Sequence, residues 1–365
     1  MRGTILFLLT VFMSFTVAAS PEKLQIALDQ AMDSPPPAAA GPVGYAFHVV
    51  AGDDSYGAAS GVAAPDGTLL DSDHMFRLAS ITKSYVGTAV LRLVEQGRLS
   101  LDAPINTLID AEYNEVLTSD GYDTNIITLK HVISHTAGFF DHAQTNNFLN
   151  SLMTNPHHVW TRTEQINAGA AWGDPVGAPG EKFFYSDTGF VLMGHMIERL
   201  TGEALPVAVR WLVGLDRHGL TQTVWERGDS RSVPAEKRVH QYMAGQDTYT
   251  WDPSVDLYGG GGLVASMRDV ALFYSLLFNG KIYENSSTLT TMLSQDGLPE
   301  GSPYRHAVFV KNYSGLEVYE HGGFWGTLVL YDPQTKTAIA GASLKQEGYP
   351  TLVKAMVTFL KSIKG

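Results

Sequence analysis

The sequence predicts an α+β fold in which an antiparallel sheet is flanked by N- and C-terminal helices and interrupted by a mostly helical inserted domain. Strand patterns cluster near both ends of the chain, whereas the middle consists of helical segments and long polar loops. A sheet must bury its apolar face against another layer, and the helical patterns at the two chain ends supply that layer. We therefore expect an α/β sheet domain from residues 21–103 and 258–365, and a helical insertion domain from 104–257.

Alternating apolar residues and turn residues define the strands, and apolar positions three or four apart define the helices. Gly97 and Gly202 are typical helix ends, and Asp332-Pro333 marks a turn between strands. The predicted strands are 43–50, 56–63, 307–311, 316–320, 327–331 and 338–344. The predicted helices are 24–32, 80–96, 188–201, 267–278 and a C-terminal helix on which Leu352, Met356, Phe359, Leu360 and Ile363 share one face.

Composition excludes several classes of protein. The chain has 365 residues, of which 44% are hydrophobic and 17% charged, as in an ordinary globular protein. A net charge of −12 without a basic run argues against nucleic acid as a partner. The chain has no cysteine, which excludes a catalytic thiol, disulfides, thiolate zinc sites and iron–sulfur clusters.

The N-terminus has the pattern of a secretory signal peptide over residues 1–20. Arg2 precedes an apolar run at 5–17, and the small residues Ala19 and Ser20 follow, so we expect cleavage near these two. The alternative is an N-terminal membrane anchor, but the run is shorter than the ~20 residues that a spanning helix needs. We therefore expect a secreted or periplasmic protein with no stable membrane span after cleavage.

Ser80 and Lys83 are the first candidates for chemistry. Residues three apart on a helix are surface neighbours, so the lysine amine can reach the serine hydroxyl and activate it as a nucleophile. The pattern alone is weak, because Ser20 and Lys23 form a second match. By itself Ser80 is interpreted as well by a helix cap.

Two further segments carry candidate residues. Tyr185-Ser186-Asp187 precedes a helix, and it is either a buried tyrosine with a capping aspartate or a phenol that transfers protons. His321-Gly322-Gly323 ends a strand. It is either a glycine turn or a cationic or donor side chain beside a backbone that a substrate can approach closely.

Taken in this order, these segments resemble the penicillin-recognising serine hydrolases: class C β-lactamases, D-alanyl-D-alanine carboxypeptidases and esterases of the same fold. The resemblance covers most of residues 43–365. The segments that carry it are 76–83 (Phe-Arg-Leu-Ala-Ser-Ile-Thr-Lys), 99–104 (Leu-Ser-Leu-Asp-Ala-Pro), 134–138 (Ser-His-Thr-Ala-Gly) and 259–267, which contains Gly-Gly-Leu.

The resemblance implies a role for each candidate. Ser80 would be the acylated nucleophile, Lys83 its base or the partner of the base, and Tyr185 a proton shuttle to the leaving group. His321 would replace the lysine of the family's third motif. The backbone N–H groups of Ser80 and Phe324 would form the oxyanion hole, where one donor is typically worth ~10²–10³ in rate.

Two substrate-binding positions depart from the family pattern. Asp187 stands where asparagine is usual, and a carboxylate would hold Lys83 as an ammonium and weaken it as a base. Tyr185 would then be the favoured general base. Gly322, next to Gly323, stands where a hydroxyl residue usually contacts the substrate's carboxylate. Both changes argue against efficient β-lactam or D-Ala-D-Ala turnover and leave simple ester or amide transfer as the expected reaction.

The remaining motifs favour no cofactor and no metal. His131 and His135 stand four apart, but the glutamate of a His-Glu-x-x-His site is missing, so a structural role is favoured. We expect a secreted serine hydrolase that acts on a small-molecule or peptide substrate. The alternative is a catalytically weak or inactive family member that binds peptidoglycan-like or acylated ligands.

Overall fold

The structure is a computed structural model, and it describes residues 19–34 and 41–364. The predicted signal peptide at 1–20 therefore lies almost entirely outside the described residues. Within the described ranges, no helix is long and apolar enough to cross a membrane.

The helices and strands that the described residues form are as follows. The helices are α1 (Pro21–Met32), α2 (Thr82–Glu95), α3 (Ala111–Ser119), α4 (Leu129–Ile133), α5 (Asn146–Thr154), α6 (Arg162–Ala171), α7 (Asp187–Thr201), α8 (Leu205–Val213), α9 (Met267–Phe278), α10 (Ser286–Leu293) and α11 (Tyr349–Ser362). The strands are β1 (Gly44–Ala51), β2 (Asp54–Gly61), β3 (Met75–Arg77), β4 (Thr223–Trp225), β5 (Tyr242–Met243), β6 (Gln246–Asp247), β7 (Leu263–Ser266), β8 (Phe309–Asn312), β9 (Glu317–Gly323), β10 (Thr327–Asp332) and β11 (Thr337–Ser343).

The main sheet has six strands in the order β2-β1-β11-β10-β9-β8, and every neighbouring pair is antiparallel. It joins the two ends of the chain, because β1 pairs with β11 with Phe47 opposite Gly341. The α+β class and the antiparallel sheet predicted from the sequence are confirmed.

Both faces of this sheet are covered, which explains why β1 is buried over almost its whole length. Side chains alternate between the two faces of a strand. Tyr45, Phe47 and Val49 pack with the terminal helices α1 and α11, whereas Ala46 and Val50 belong to the larger core on the other face. The predicted flanking helices therefore lie together on one side of the sheet, with α9 packed against the other.

A smaller antiparallel sheet, in the order β3-β7-β4, supports the segment that carries Ser80. The strand β4 comes from the range predicted as the insertion, yet it pairs with β7 of the range predicted as the sheet domain. The helix α2, which follows Ser80, packs against α7 and α8. The functional segments therefore lie where the two predicted regions contact each other.

Candidate active site

Ser80 lies in a strained turn between β3 and α2. Ala79 has a φ of +47°, a left-handed conformation that residues other than glycine seldom adopt. A 3₁₀ turn, Ala79–Ile81, follows and leads into α2. The backbone N–H of Leu78 donates to the carbonyl oxygen of Leu263 at 2.8 Å, which fastens this turn to β7. The turn presents the Ser80 side chain to a cavity.

Lys83 is fully buried, and its amine is hydrogen-bonded to three acceptors. Nζ lies 2.9 Å from the Ser80 hydroxyl oxygen and 2.6 Å from the carbonyl oxygen of Gly260, and it donates to Oδ1 of Asp187. An ammonium has three N–H donors and no acceptor, so this set matches the charged form. Ser80 accepts a hydrogen bond from Lys83, and the sequence-based alternative of a simple helix cap does not describe it.

The glycine run before β7 places one of these acceptors. A Cβ atom on Gly260 would lie 2.7 Å from the Asp187 carboxylate, and one on Gly261 would lie 2.1 Å from the Asp256 carboxylate. Because both residues lack a side chain, the backbone can pass between the two acids and present its carbonyl to Lys83. The glycine run was noticed in the sequence, but no sequence pattern indicated that one of its carbonyl oxygens accepts a hydrogen bond from Lys83.

Asp187 is the first residue of α7, and the cap position belongs to Ser186. The alternative interpretation of Asp187 as the cap is therefore wrong. Its carboxylate pairs with Lys83, as the charge argument from the sequence expected, and its backbone N–H donates to Asp141 Oδ1 at 3.1 Å. The start of α7 thus delivers a carboxylate to the lysine beside Ser80.

Tyr185 lies with its ring 5.1 Å from Lys83 Nζ, measured to the ring centroid. Its hydroxyl is buried and has no regular hydrogen bond among the described residues, although Ser80 is close enough to act on its pKa. Burial, followed by the charge of Asp187, raises the pKa of Tyr185 well above its usual range. Tyr185 is thus a phenol that can donate a proton, and burial opposes a phenolate base.

His135, for which the sequence favoured a structural role over a metal site, packs against this tyrosine. The His135 ring packs on the Tyr185 ring, with the centroids 4.2 Å apart, and its Nδ1 accepts from the N–H of Ser186 at 3.1 Å. It lies beyond the end of α4, where it has a left-handed φ of +56°. His131 instead completes the capping box of α4 with Thr128.

His321 is buried in the wall of the same cavity. Its Nδ1 lies 2.9 Å from the carbonyl oxygen of Gly322, which can only accept, so Nδ1 carries the proton. Its Nε2 then accepts from the Tyr304 hydroxyl at 3.1 Å. Burial, followed by the charge of Lys83, lowers the pKa of His321 to about 3, so the imidazole is neutral. His321 therefore lacks the positive charge that a cationic role would require.

The end of β9 lies directly against the turn that carries Ser80. A Cβ atom on Gly323 would lie 2.1 Å from the carbonyl oxygen of Leu78 and 2.2 Å from the Thr327 hydroxyl. This close approach brings the next residue, Phe324, to the edge of the cavity beside Ser80. The oxyanion hole predicted from the N–H groups of Ser80 and Phe324 stays a prediction, and this packing supports it.

The cavity has a volume of about 690 Å³. Ser80, Tyr185, Asp187 and the end of β9 line one part of it. The side formed by α5 and its neighbours is rich in apolar residues and includes the amides of Gln144 and Gln165, and the polar side, formed by β8, β9 and the start of α11, has Lys311, Glu320 and Tyr349 with Phe309 among them. Such an arrangement suits a substrate with one apolar and one polar portion.

Two buried acids near Lys83 carried no sequence signal. Asp141 accepts from the backbone of Asp187, and burial together with the Asp187 charge raises its pKa. Asp256 lines the cavity and accepts from the Trp325 indole at 3.3 Å, and burial raises its pKa to about 7. Neither belongs to a motif, and each reaches the site from a loop distant in the chain.

An antiparallel sheet covered by the two terminal helices, with Ser80, Lys83 and Tyr185 gathered at one cavity, defines the β-lactamase/transpeptidase-like class of proteins. The sequence comparison agrees with this assignment. The chain belongs to the Beta-lactamase family, whose profile matches residues 28–355. The family predicted from the sequence motifs is confirmed.

Curated relatives and solved structures extend this picture. Esterase EstB of Burkholderia gladioli is 33% identical over 177 residues, which are 44% of this chain and 42% of the esterase. Protein flp of Staphylococcus aureus (strain MW2) is 22% identical over 78% of this chain and 55% of its own length. The chain thus spans about half the length of the curated relatives it matches.

The structural neighbours share nearly the whole fold. A D-stereospecific amidohydrolase from Streptomyces sp. superposes with a TM-score of 0.75 and 25% identity, covering 90% of this chain and 95% of the other. D-amino acid amidase from Ochrobactrum anthropi SV3 gives a TM-score of 0.76 with 22% identity, covering 94% and 99%. At 22% identity, the similarity to the D-amino acid amidase is one of fold alone.

Proposed function

We propose that the protein is a serine hydrolase that cleaves an ester or amide through an acyl-enzyme on Ser80, and that it acts outside the cytoplasm. The observation that carries the catalytic part is the 2.9 Å contact between Ser80 Oγ and Lys83 Nζ beside an open cavity. The esterase and the D-stereospecific amidohydrolase among the similar proteins support both substrate types. The signal-peptide pattern at residues 1–20 supports export.

Acylation starts from a charged lysine. The Ser80 oxygen attacks the substrate carbonyl carbon, and its proton passes to Lys83 as Lys83 passes a proton to the carboxylate of Asp187. The bond to the leaving group then breaks, and the leaving group takes the proton of the Tyr185 hydroxyl. Tyr185 regains a proton from Lys83, and Lys83 regains one from Asp187. These three residues are then in their starting protonation states, while Ser80 carries the acyl group.

Hydrolysis of the acyl-enzyme repeats these transfers with water in place of the leaving group. The N–H groups of Ser80 and Phe324 would stabilise the oxyanion in both halves of the reaction. Because the ion pair with Asp187 holds Lys83 charged, the first proton transfer is costly. Esters, whose leaving groups need less protonation than amides, are therefore the better substrates in this proposal.

A second candidate function draws on the same ion pair. Three acceptors hold Lys83 as an ammonium, and a site whose lysine stays charged would bind acylated or peptidoglycan-like ligands with little turnover. The two candidates differ in whether an acyl group becomes attached to Ser80 and is then released.

Intact-mass measurement separates them. The protein is treated with a fluorophosphonate and with a panel of p-nitrophenyl esters, D-amino-acid amides, D-Ala-D-Ala peptides and nitrocefin. We expect a covalent adduct on the peptide that contains Ser80 and turnover of the esters, both lost in Ser80→Ala. Ser119→Ala is the control, because Ser119 is exposed at the end of α3 and does not line the cavity. Stable labelling without turnover would favour the binding function, and a Ser80→Ala variant that keeps its activity would defeat the assignment.

A further inference from the structure

A tyrosine from the C-terminal helix occupies the space beside Gly322. A Cβ atom on Gly322 would lie 2.2 Å from the Tyr349 hydroxyl oxygen and 3.0 Å from Cζ of the same ring. Both residues line the cavity that contains Ser80. The glycine at 322 and the tyrosine at 349 are therefore complementary, since any side chain at 322 would displace the phenol.

Tyr349 lies at the start of a helix. It is the first residue of α11, and Pro350 occupies the next position, where proline favours helix initiation. Burial, followed by the charge of Glu320, raises the pKa of Tyr349 above its usual value, so the phenol keeps its proton. The cavity wall thus has a hydroxyl that can donate a hydrogen bond.

The charges around this hydroxyl balance each other. Lys311 Nζ lies 2.6 Å from the Glu320 carboxylate, and the Tyr313 hydroxyl donates to the same carboxylate at 2.7 Å. The lysine charge is therefore already compensated in the free protein. A neutral hydrogen-bond acceptor suits this wall better than a carboxylate, which would have to compete with Glu320 for Lys311.

We propose that the Tyr349 hydroxyl is a substrate-binding group of this wall and that it donates to an uncharged oxygen of the substrate. The inference rests on the proposed hydrolase function and narrows its substrates. They carry an apolar portion for the side formed by α5 and an ether, carbonyl or hydroxyl oxygen for the polar side. A free carboxylate at that position is disfavoured.

Isosteric substrate pairs test the proposal directly. p-Nitrophenyl methoxyacetate differs from p-nitrophenyl butyrate by one acyl oxygen in place of a methylene, and 4-acetylphenyl butyrate differs from 4-ethylphenyl butyrate by one leaving-group oxygen. Tyr349→Phe removes only the hydroxyl. We expect it to lower kcat/KM, mainly through KM, about three- to tenfold for the oxygen-bearing member of at least one pair relative to its apolar partner. Intrinsic reactivity cancels because each ratio is compared between variants.

Tyr313→Phe is the matched control, since Tyr313 contacts the same Glu320 but does not line the cavity. It should leave both substrate ratios unchanged. A second, reciprocal test uses position 322. Gly322→Ser alone should lose activity because of the steric conflict with Tyr349, whereas Gly322→Ser combined with Tyr349→Ala has room for the serine and should recover the preference for the oxygen-bearing substrate.

The outcomes separate this inference from the proposed function. In one outcome, the wild type is labelled at Ser80 by the fluorophosphonate and turns over esters, while both substrate ratios are the same in wild type and Tyr349→Phe. That result would overturn the role of Tyr349 and leave the proposed hydrolase function intact. Absence of both labelling and turnover in the wild type would overturn both. A thermal unfolding curve for each variant identifies any that fails to fold. If a single variant fails to fold, the substrate preference of the Gly322→Ser, Tyr349→Ala double variant tests the proposal.

Discussion

Lys83 and Asp187 form a direct ion pair next to Ser80, the nucleophile that we propose. The Lys83 side chain is fully buried, and that of Asp187 is only 19% exposed. Removing one partner of an ion pair shielded from water has a larger effect than removing one at the surface. This pair therefore controls how readily the lysine can accept a proton from Ser80.

Asp187→Asn should shift the substrate preference toward amides. The amide keeps a hydrogen-bond acceptor for Lys83 but removes the negative charge, so the lysine can lose its proton more readily. We expect the amide-to-ester ratio of kcat/KM to rise about 10- to 150-fold, corresponding to the ~1.5–3 kcal/mol of a charged hydrogen bond. Steady-state kinetics on one amide and one short-chain ester measures it.

Asp110→Asn is the control for that experiment, because Asp110 precedes α3 and its ion pairs are with residues of α7 outside the cavity. The amide-to-ester ratio of kcat/KM in Asp110→Asn should equal that of the wild type. If Asp187→Asn behaves in the same way, the carboxylate charge does not limit amide turnover, and Asp187 serves only to begin α7.

Tyr185→Phe should lower activity without lowering stability. The hydroxyl is buried without a regular hydrogen-bond partner among the described residues, so its removal costs no folding interaction. As the proton donor to the leaving group it should be worth ~10²–10⁴ in kcat. We expect that loss together with an unchanged or higher Tm. Tyr304→Phe should do the opposite for stability, because it deletes the hydrogen bond to His321. A Tyr185→Phe variant with full activity would contradict the proton-donor role.

Gly323→Ala should separate the end of β9 from the Ser80 turn. The new Cβ would meet the carbonyl oxygen of Leu78 at 2.1 Å, and neither backbone can yield easily. If Phe324 supplies an oxyanion donor, its displacement should reduce kcat by ~10²–10³. Gly52→Ala, in the open turn after β1, is the control for backbone strain without a steric conflict, because Gly52 has a φ of +61° and no neighbour within 4 Å. Retained kcat in Gly323→Ala would place the oxyanion donors elsewhere.

The part of the site that the sequence could predict is local or carried by motifs. Ser80 and Lys83 are three residues apart, so helix geometry alone brings them together. The carbonyl of Gly260 is 177 residues from Lys83, and no spacing rule connects them. Only the packing of the glycine run against α7 does so.

The role of Gly322 was hidden for the same reason. Its missing side chain suggested the loss of a hydroxyl, whereas the structure places the hydroxyl of Tyr349 in that space from a different element. His321 shows the converse case. The residue type was noticed correctly, but its neutral state depends on burial and on the charge of Lys83, which no local pattern reveals.

The last prediction concerns the buried acid Asp256. Burial is the largest cause of its pKa of about 7; Lys83 and Arg77 oppose the shift, and the charge of Asp187 adds to it. Between the ordinary carboxyl pKa of 3.8 and about 7, the folded protein holds a proton that the unfolded chain has lost. The free energy of unfolding therefore falls as the pH rises through this window, and the full cost is present at pH 8. Asp256→Asn removes that cost while keeping an acceptor for the Trp325 indole, so its Tm should rise by at least about 2 °C at pH 8. The rise should be clearly smaller at pH 5, where only part of the window has been crossed. Asp252→Asn is the matched control from the same loop. Hydrogen bonds from Ser254 and the pairing with Arg227 outweigh burial and lower the pKa of Asp252. Removing this carboxylate should therefore reduce the Tm at pH 8. Thermal unfolding of the wild type and the two variants at both pH values measures these changes in Tm. If Asp256→Asn is no more stable than wild type at pH 8, ionisation of Asp256 beside Lys83 does not lower the free energy of unfolding.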